Sequence, residues 1–76
     1  MYRIITEKAN ELKDGRTNKY ISDIIGMNNC HITSILTGNR TCSKIVAMVL
    51  INLKTNIPIG TKKMEDELKK YFHEVK

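Results

Sequence analysis

Hydrophobic residues recur along the first part of the chain at steps of three and four, a spacing that predicts an amphipathic helix. The stripe consists of Tyr2, Ile5, Ala9 and Leu12. It predicts a first helix over residues 1 to 13. Asp14-Gly15 ends that helix, because glycine readily adopts the conformation found just past a helix terminus.

Two short helices are predicted next. The first begins at Thr17, a good N-cap residue, and ends at Gly26. The second is capped by Asn28 and closed by Thr37-Gly38-Asn39. The apolar positions of this pair are Ile21, Ile24, Ile25, Ile32, Ile35 and Leu36.

Two further segments complete the pattern. A fourth helix starts at Thr41 or Ser43 and runs to Leu53; its continuous apolar character suits a central buried helix, although its β-branched residues leave a strand as an alternative. Asn56, Pro58 and Gly60 form a linker. A last helix, over about residues 61 to 75, has Met64, Leu68, Phe72 and Val75 on one face.

Length and composition fit one small helical domain over residues 1 to 76. The chain has 76 residues, of which 41% are hydrophobic, enough for a globular fold and too many for a disordered chain. It contains one Pro, four Gly and no Trp, whereas an all-β sandwich usually needs more turn residues and aromatics. The expected fold class is all-α, a small five-helix bundle.

The distribution of charge adds a preference for an anionic partner. The net charge is +5, and no Asp or Glu occurs between Asp23 and Glu65. That stretch contains five basic residues: Arg40, Lys44, Lys54, Lys62 and Lys63. A surface built from it would attract a polyanion such as DNA, although a solvated basic face alone would look similar.

The apolar runs, the N-terminus and the cysteines indicate the cellular compartment. The longest apolar run, Ile45 to Ile51, is far shorter than the roughly 20 residues of a bilayer span, and the N-terminus has no signal-peptide pattern. Cys30 and Cys42 suit free thiols in a reducing environment. We therefore expect a cytoplasmic protein of a bacterial cell, with no membrane partner.

The two short central helices predict a helix-turn-helix over residues 18 to 38. Helices this short, joined by Gly26-Met27-Asn28, must cross at a steep angle. Ser22 is small enough for a close crossing, and Gly26 can take the positive φ of the turn. The inner positions are all apolar: Ile21, Ile25, Met27, Ile32 and Ile35.

The outward residues of the third helix suggest base recognition. They are short, polar and never acidic: Asn29, Cys30, Thr33, Ser34 and Thr37, with His31 beside them. A purely structural surface helix would typically carry Glu and Lys, and Asn, Ser and Thr are mediocre helix formers. Asn can bond an adenine edge at two atoms, and Ser or Thr can serve several bases. We expect residues 28 to 36 to enter the major groove.

The run from Thr17 to Arg40 resembles the Cro and phage-repressor helix-turn-helix family. Shared features are the two glycines Gly26 and Gly38 and the apolar inner positions between them. The run differs from the family pattern at three positions: Asn18 stands for Gln, Ser22 for Ala and Thr37 for Asn. The resemblance covers roughly residues 1 to 55 and implies the lambda-repressor-like packing of five helices.

The resemblance also implies roles for individual residues. Base contacts would come from Asn28, Asn29, Cys30, His31, Thr33 and Ser34. Contacts with the DNA backbone would come from Asn18, Lys19, Thr37, Asn39, Arg40 and Lys44. Backbone contacts set the register on the duplex, while base contacts set the sequence preference.

Metal binding and catalysis fit the sequence poorly. Zinc sites usually need four ligands in paired short spacings, whereas Cys30 and His31 are adjacent and point in different directions on a helix. No acid, base and nucleophile form a recognisable set, so we expect neither an enzyme nor a cofactor. The Lys pairs of the last helix share it with Glu65, Asp66, Glu67 and Glu74, so its charge is nearly balanced and the pairs are interpreted as a solvated face.

Two classes of function remain. The first is a sequence-specific regulator of transcription that binds double-stranded DNA, a Cro-like repressor of a phage or mobile element. The second is a protein-interaction module on the same fold, such as an antitoxin or an inhibitor of another protein. The acid-free third helix favours the first class.

A regulator of this size is expected to act as a homodimer on a pseudo-palindromic operator, formed either in solution or only on DNA. One reading helix contacts too few base pairs for useful specificity in a genome. The apolar face of the last helix either covers the core or pairs with a second copy through Leu68 and Phe72. The end of the fourth helix, near Leu53 and Ile57, is the other candidate surface.

Overall fold

The computed structural model describes residues 1–75. Over that range the chain forms five α-helices and one two-stranded antiparallel sheet. The elements are β1 (Tyr2–Ile4), α1 (Ala9–Lys13), α2 (Asn18–Ile25), α3 (Asn29–Leu36), α4 (Lys44–Thr55), α5 (Lys62–Tyr71) and β2 (Phe72–Glu74), with a 3-10 turn at Thr6–Lys8. The fold is mostly helical, as expected, but the sheet means that all-α is only approximately right.

Polar side chains start four of the helices. Thr17, Asn28, Ser43 and Thr61 each accept a hydrogen bond from a backbone N–H of the first helical turn. These N–H groups have no partner inside the helix, so the caps fix where each helix begins. The caps predicted at Thr17 and Asn28 are confirmed, and Ser43 is the one that starts α4.

The predicted first helix is wrong over its N-terminal half. Residues 2–4 form β1, which pairs with β2 in the register Tyr2–Glu74, Arg3–His73 and Ile4–Phe72. Cys42 extends this pairing through two hydrogen bonds with the backbone of Tyr2. Because the partners of β1 lie some 40 and 70 residues away, the local spacing of apolar residues could not reveal the strand.

The predicted last helix is too long. α5 ends at Tyr71, and Phe72 is extended with φ −135° and starts β2. The inner face of α5 is made by Met64, Leu68 and Tyr71, all buried. Leu68 and Phe72 are only 2% and 3% exposed, which confirms the alternative in which they cover the core, so they are not available to anchor a second copy.

Helix α4 is central, and the strand alternative for this segment is wrong. Ala47 and Ile51 are completely buried, while Ile45 near its start is 61% exposed. The most deeply buried large side chains of the core are Ile32 and Ile35 of α3, Ile51 of α4 and Met64 of α5. Among residues 1–75, no helix is both long and apolar enough to cross a membrane.

Arg16 joins the C-terminal ends of α1 and α4. Its guanidinium donates to the carbonyl oxygens of Lys13 (2.9 Å) and Leu12 at the end of α1 and to that of Leu53 (2.9 Å) in the last turn of α4. The last carbonyls of a helix lack partners and carry partial negative charge, so a cation stabilises them. Arg16 is therefore a structural residue despite its charge.

Candidate nucleic-acid interface

The turn between α2 and α3 is fixed by hydrogen bonds to one carbonyl. The backbone N–H groups of Gly26 (2.8 Å) and Met27 (3.1 Å) both donate to the oxygen of Ser22. Gly26 has φ +82°, a conformation in which other residues are strained. Asn28 then accepts from the N–H of Cys30 at 2.8 Å and starts α3.

Close packing holds the inner faces of α2 and α3 together. Ile21 is 2% exposed, and Ile32 and Ile35 are completely buried. Ser22 is 3% exposed, and its hydroxyl donates to the carbonyl oxygen of Lys19 at 2.8 Å, which satisfies this buried polar group. The inner positions predicted from the sequence are confirmed, with Ile25 and Met27 packing at the edge of the core.

The outer face of α3 carries the predicted base-contacting residues. Asn28, Asn29 and Cys30 are exposed, while His31, Thr33 and Ser34 are half-buried. Within residues 1–75, the side chains of Asn29, Cys30 and Ser34 make no hydrogen bond to another residue. Their polar groups are therefore available to an external partner.

Asn18, predicted to contact the DNA backbone, bridges α2 and α3. Its Nδ2 donates to Oγ1 of Thr33 at 3.2 Å. Its Oδ1 is buried and has no partner within the described residues. Within residues 1–75, the bond to Thr33 is the only hydrogen bond of this amide.

The backbone after α3 folds back onto the helix end. The N–H groups of Asn39 (3.0 Å) and Arg40 (3.2 Å) both donate to the carbonyl oxygen of Ser34. Gly38 has φ +84°, a conformation in which other residues are strained, and a Cβ there would lie 3.0 Å from the Thr6 methyl group, which would have to shift. The hydroxyl of Thr37 donates to the carbonyl oxygen of Thr33 at 2.9 Å.

Arg40 contacts the middle of α3 rather than pointing away from it. Its Nη1 lies 2.9 Å from Nδ1 of His31. An open depression of about 270 Å³ lies there, lined by Asn28, Cys30, His31, Ser34 and Arg40. This loop residue therefore shares one concave surface with the predicted base-contacting residues.

Lys19 and Lys44, the two lysines predicted to contact the DNA backbone, differ in their surroundings. Lys19 is exposed in the first turn of α2. Lys44 forms an ion pair with Glu65 of α5 (Nζ to Oε1, 2.8 Å), and the hydrogen bond to Glu65 raises the pKa of Lys44. Lys44 thus stays positively charged, but the carboxylate of Glu65 partly offsets that charge.

The two thiols differ in their environments. Cys30 is exposed on α3, whereas Cys42 is buried next to β1. Burial raises the pKa of the Cys42 thiol to about 11. Within residues 1–75, no three His, Cys, Asp or Glu side chains come together in a way that could hold a metal ion.

Two features of this surface were missed by sequence reasoning. The His31–Arg40 contact joins residues nine apart across a loop, and the Lys44–Glu65 pair joins two helices. A contact between positions separated by a turn depends on the path of that turn, which residue spacing does not specify. Glu65 lies 21 residues after Lys44, just past the stretch without acidic residues, so local spacing does not indicate this pair.

Comparison of the chain with protein-family models, with curated proteins and with solved structures gives no match.

Proposed function

We propose that the chain binds double-stranded DNA sequence-specifically through α2 and α3, which act as a helix-turn-helix of the lambda-repressor-like type. The biological role that fits is transcription regulation, as a Cro-like repressor of a phage or mobile element. One observation carries this proposal: the outer face of α3 presents short polar side chains and no acidic one, while its inner face is buried.

The chemistry of this outer face suits base edges. An amide such as that of Asn29 offers a donor and an acceptor together, which matches adenine in the major groove. Ser34 adds a hydroxyl that can donate or accept. Short side chains let the helix backbone approach the base edges, whereas Glu would repel phosphates on either side.

The starts of α2 and α3 suit phosphates. Neither helix has an acidic residue in its first turn. Exposed N–H groups and the helix dipole make such an end attractive to anions. Lys19 in the first turn of α2 adds a full positive charge beside it. Thr37 and Asn39, both exposed after α3, complete the proposed backbone contacts, with Asn18 next to Lys19.

Glu65 is the acidic group that counts against this interface. Its pair with Lys44 is exposed, with side-chain exposures of 46% and 43%. Exposed ion pairs stabilise proteins little, so a phosphate can compete with Glu65 for the ammonium of Lys44. Lys44 therefore remains a proposed backbone contact, weakened by its partner.

We further propose a homodimer on a pseudo-palindrome, with half-sites roughly 34–36 Å apart. Because Leu68 and Phe72 lie in the core, the remaining candidate surface for the dimer is the end of α4 and the segment just after it. Leu53 and Ile57 are half-buried there. Ile59 nearby in sequence is 44% exposed. The stoichiometry on a selected site tests this: one chain on one half-site, with no second copy recruited at high concentration, contradicts the dimer.

One observation favours the protein-interaction alternative. Tyr20 and Ile24, four residues apart on α2, are 52% and 49% exposed. Residues at this spacing share a helix face, so they offer a small apolar contact surface. A partner protein bound there would leave α3 exposed, so the two functions can be separated by variants on different helices.

Selection from random duplexes with the purified chain tests the main proposal. A DNA-binding regulator yields a defined sequence, and its affinity for random DNA falls steeply with salt because counterions are released. Tyr20→Ala provides the matched control, since it alters the apolar face of α2 and leaves α3 unchanged. Failure to enrich any sequence, together with salt-independent binding, would contradict the proposal.

A further inference from the structure

The contact between Arg40 and His31 fixes which side chain donates and which accepts. Arginine has only donors, so Nδ1 of His31 accepts the hydrogen bond at 2.9 Å. The guanidinium is thereby held against the ring of His31 on the outer face of α3.

The position of this guanidinium matters more than its charge. Arg40 lines the depression together with Asn28, Cys30 and Ser34, which are the residues proposed to face bases. Among the five residues that line it, Arg40 is the one charged side chain. At about 270 Å³ the depression is smaller than the roughly 300–1,000 Å³ of small-molecule sites, and it is open. Such a shape suits the edge of a larger molecule.

The bond to His31 leaves most of the guanidinium available. Arginine has five N–H donors in a planar fork, and His31 uses one of them. Two parallel donors remain for a bidentate contact. Guanine presents two acceptors, N7 and O6, side by side in the major groove, and this pairing is the commonest specific contact of arginine with DNA.

We propose that Arg40 reads a guanine in the major groove and that His31 is the positioning residue that holds its guanidinium there. The inference rests on the proposed function and replaces the backbone contact that the sequence predicted for Arg40. A phosphate contact needs only a positive charge, which a mobile side chain supplies. A guanidinium fixed among base-facing residues is suited to a directional contact instead.

Arg40→Lys separates these two roles, because lysine keeps the charge but loses the fork. Affinities of the parent and the variant are measured for the selected duplex, for duplexes with each guanine replaced in turn, and for random DNA at several salt concentrations. We expect Arg40→Lys to lose roughly 5- to 150-fold on the selected duplex and to become indifferent to one particular guanine. Its salt dependence on random DNA should match that of the parent.

His31→Ala and His31→Gln test the positioning role. The amide oxygen of Gln can accept from Arg40, whereas Ala offers nothing. His31→Ala should therefore weaken the preference for the same guanine, and His31→Gln should retain more of it. Binding to random DNA should change little in either variant. Melting curves of both variants are the control for folding. They should match that of the parent, because the side chain of His31 does not belong to the core.

Three results would overturn the inference. If Arg40→Lys behaves as the parent while Arg40→Ala loses affinity on all duplexes and lowers the salt slope by about 1, Arg40 contacts a phosphate. If His31→Ala keeps the full guanine preference, His31 does not position Arg40. Both results leave the proposed function intact, whereas a parent chain that binds no duplex overturns the function and the inference together.

Discussion

The inner and outer faces of α3 contrast within one eight-residue helix. On the inner face, Ile32 and Ile35 are completely buried against neighbouring helices. On the outer face, Asn29 and Cys30 are exposed and Ser34 is half-buried, and none of the three bonds to another side chain within residues 1–75. One helix therefore packs into the core with its inner face and presents unbonded polar side chains to solvent with its outer face.

This contrast predicts that stability and the proposed recognition of DNA depend on different faces of α3. Replacing an inner residue leaves a cavity, whereas replacing an outer residue removes no packing contact. The outer residues also have mediocre helix propensity, so the helix is held by its inner face and by the Asn28 cap. Changes on the two faces should consequently affect different measurements.

The rate of thiol alkylation should give the largest difference between an exposed position, Cys30, and a buried one, Cys42. Because its pKa is about 11, only about 0.1% of Cys42 is thiolate at pH 8, and the thiolate is the reactive form. Cys30 on the outer face is exposed. We expect a soluble alkylating reagent to modify the exposed Cys30 many-fold faster than Cys42, whose thiol is both buried and largely protonated.

Cognate DNA should slow modification of Cys30 and leave Cys42 unchanged. Peptide mapping after timed quenching measures both rates in one sample. Equal rates at the two thiols would show that Cys42 is accessible, and unchanged labelling of Cys30 on saturating cognate DNA would mean that the outer face of α3 lies away from the duplex.

Ile32→Ala should have the largest effect on stability. The deletion empties a completely buried position between α2 and α3 and should cost about 2–5 kcal/mol of unfolding free energy. Small domains of this kind have only about 5–15 kcal/mol in total. Urea denaturation followed by circular dichroism measures the loss. A midpoint close to that of the parent would contradict the packing of α3 described above.

Asn29→Ala should change recognition without changing stability. Loss of a bidentate base contact should weaken cognate binding by about 1–3 kcal/mol and random binding very little. Asn10→Ala makes the same chemical change at an exposed position of α1 and serves as the control. Parallel titrations of cognate and random duplexes measure both effects, and equal losses on the two would remove Asn29 from the base contacts.

Glu65→Gln should have the smallest effect and the opposite sign. Removing the carboxylate frees Lys44 and takes a negative charge away from the proposed backbone contacts. Random DNA should bind a few-fold tighter, with a salt slope steeper by up to about 1. Glu67→Gln is the matched control, because Glu67 pairs instead with Lys70 of its own helix. Identical behaviour of the two variants would exclude Lys44 from the interface.

The α2–α3 region was predictable because its determinants are local. Thr17, Gly26 and Asn28 specify where the helices start and stop within a few residues of themselves. The isoleucines at steps of three and four then specify which faces are buried. Bounds, caps and inner faces all follow from spacing in this part of the chain.

The two terminal strands and the side-chain contacts of the candidate interface could not be predicted, because they depend on partners that are distant in sequence. β1 is extended because β2 and Cys42 supply hydrogen bonds from far along the chain, although its residues also fitted a helical stripe. Phe72 likewise fitted the face of α5 but leaves the helix to pair with Ile4. A three-residue strand is too short for an alternating pattern to outweigh a helical one.

β1 and β2 lie near opposite ends of the described residues, and their pairing makes them neighbours in space. The N–H of Val75 donates to the carbonyl oxygen of Met1 at 2.7 Å, so the two ends of the described chain touch. A short linker could join them without disturbing either strand, and new termini could be opened at Ile59–Gly60, an exposed turn. Such a circular permutant would begin with α5 and β2, and β1 and α1 to α4 would follow through the linker. Its new termini would lie between α4 and α5, where another domain could be fused to the proposed DNA-binding unit.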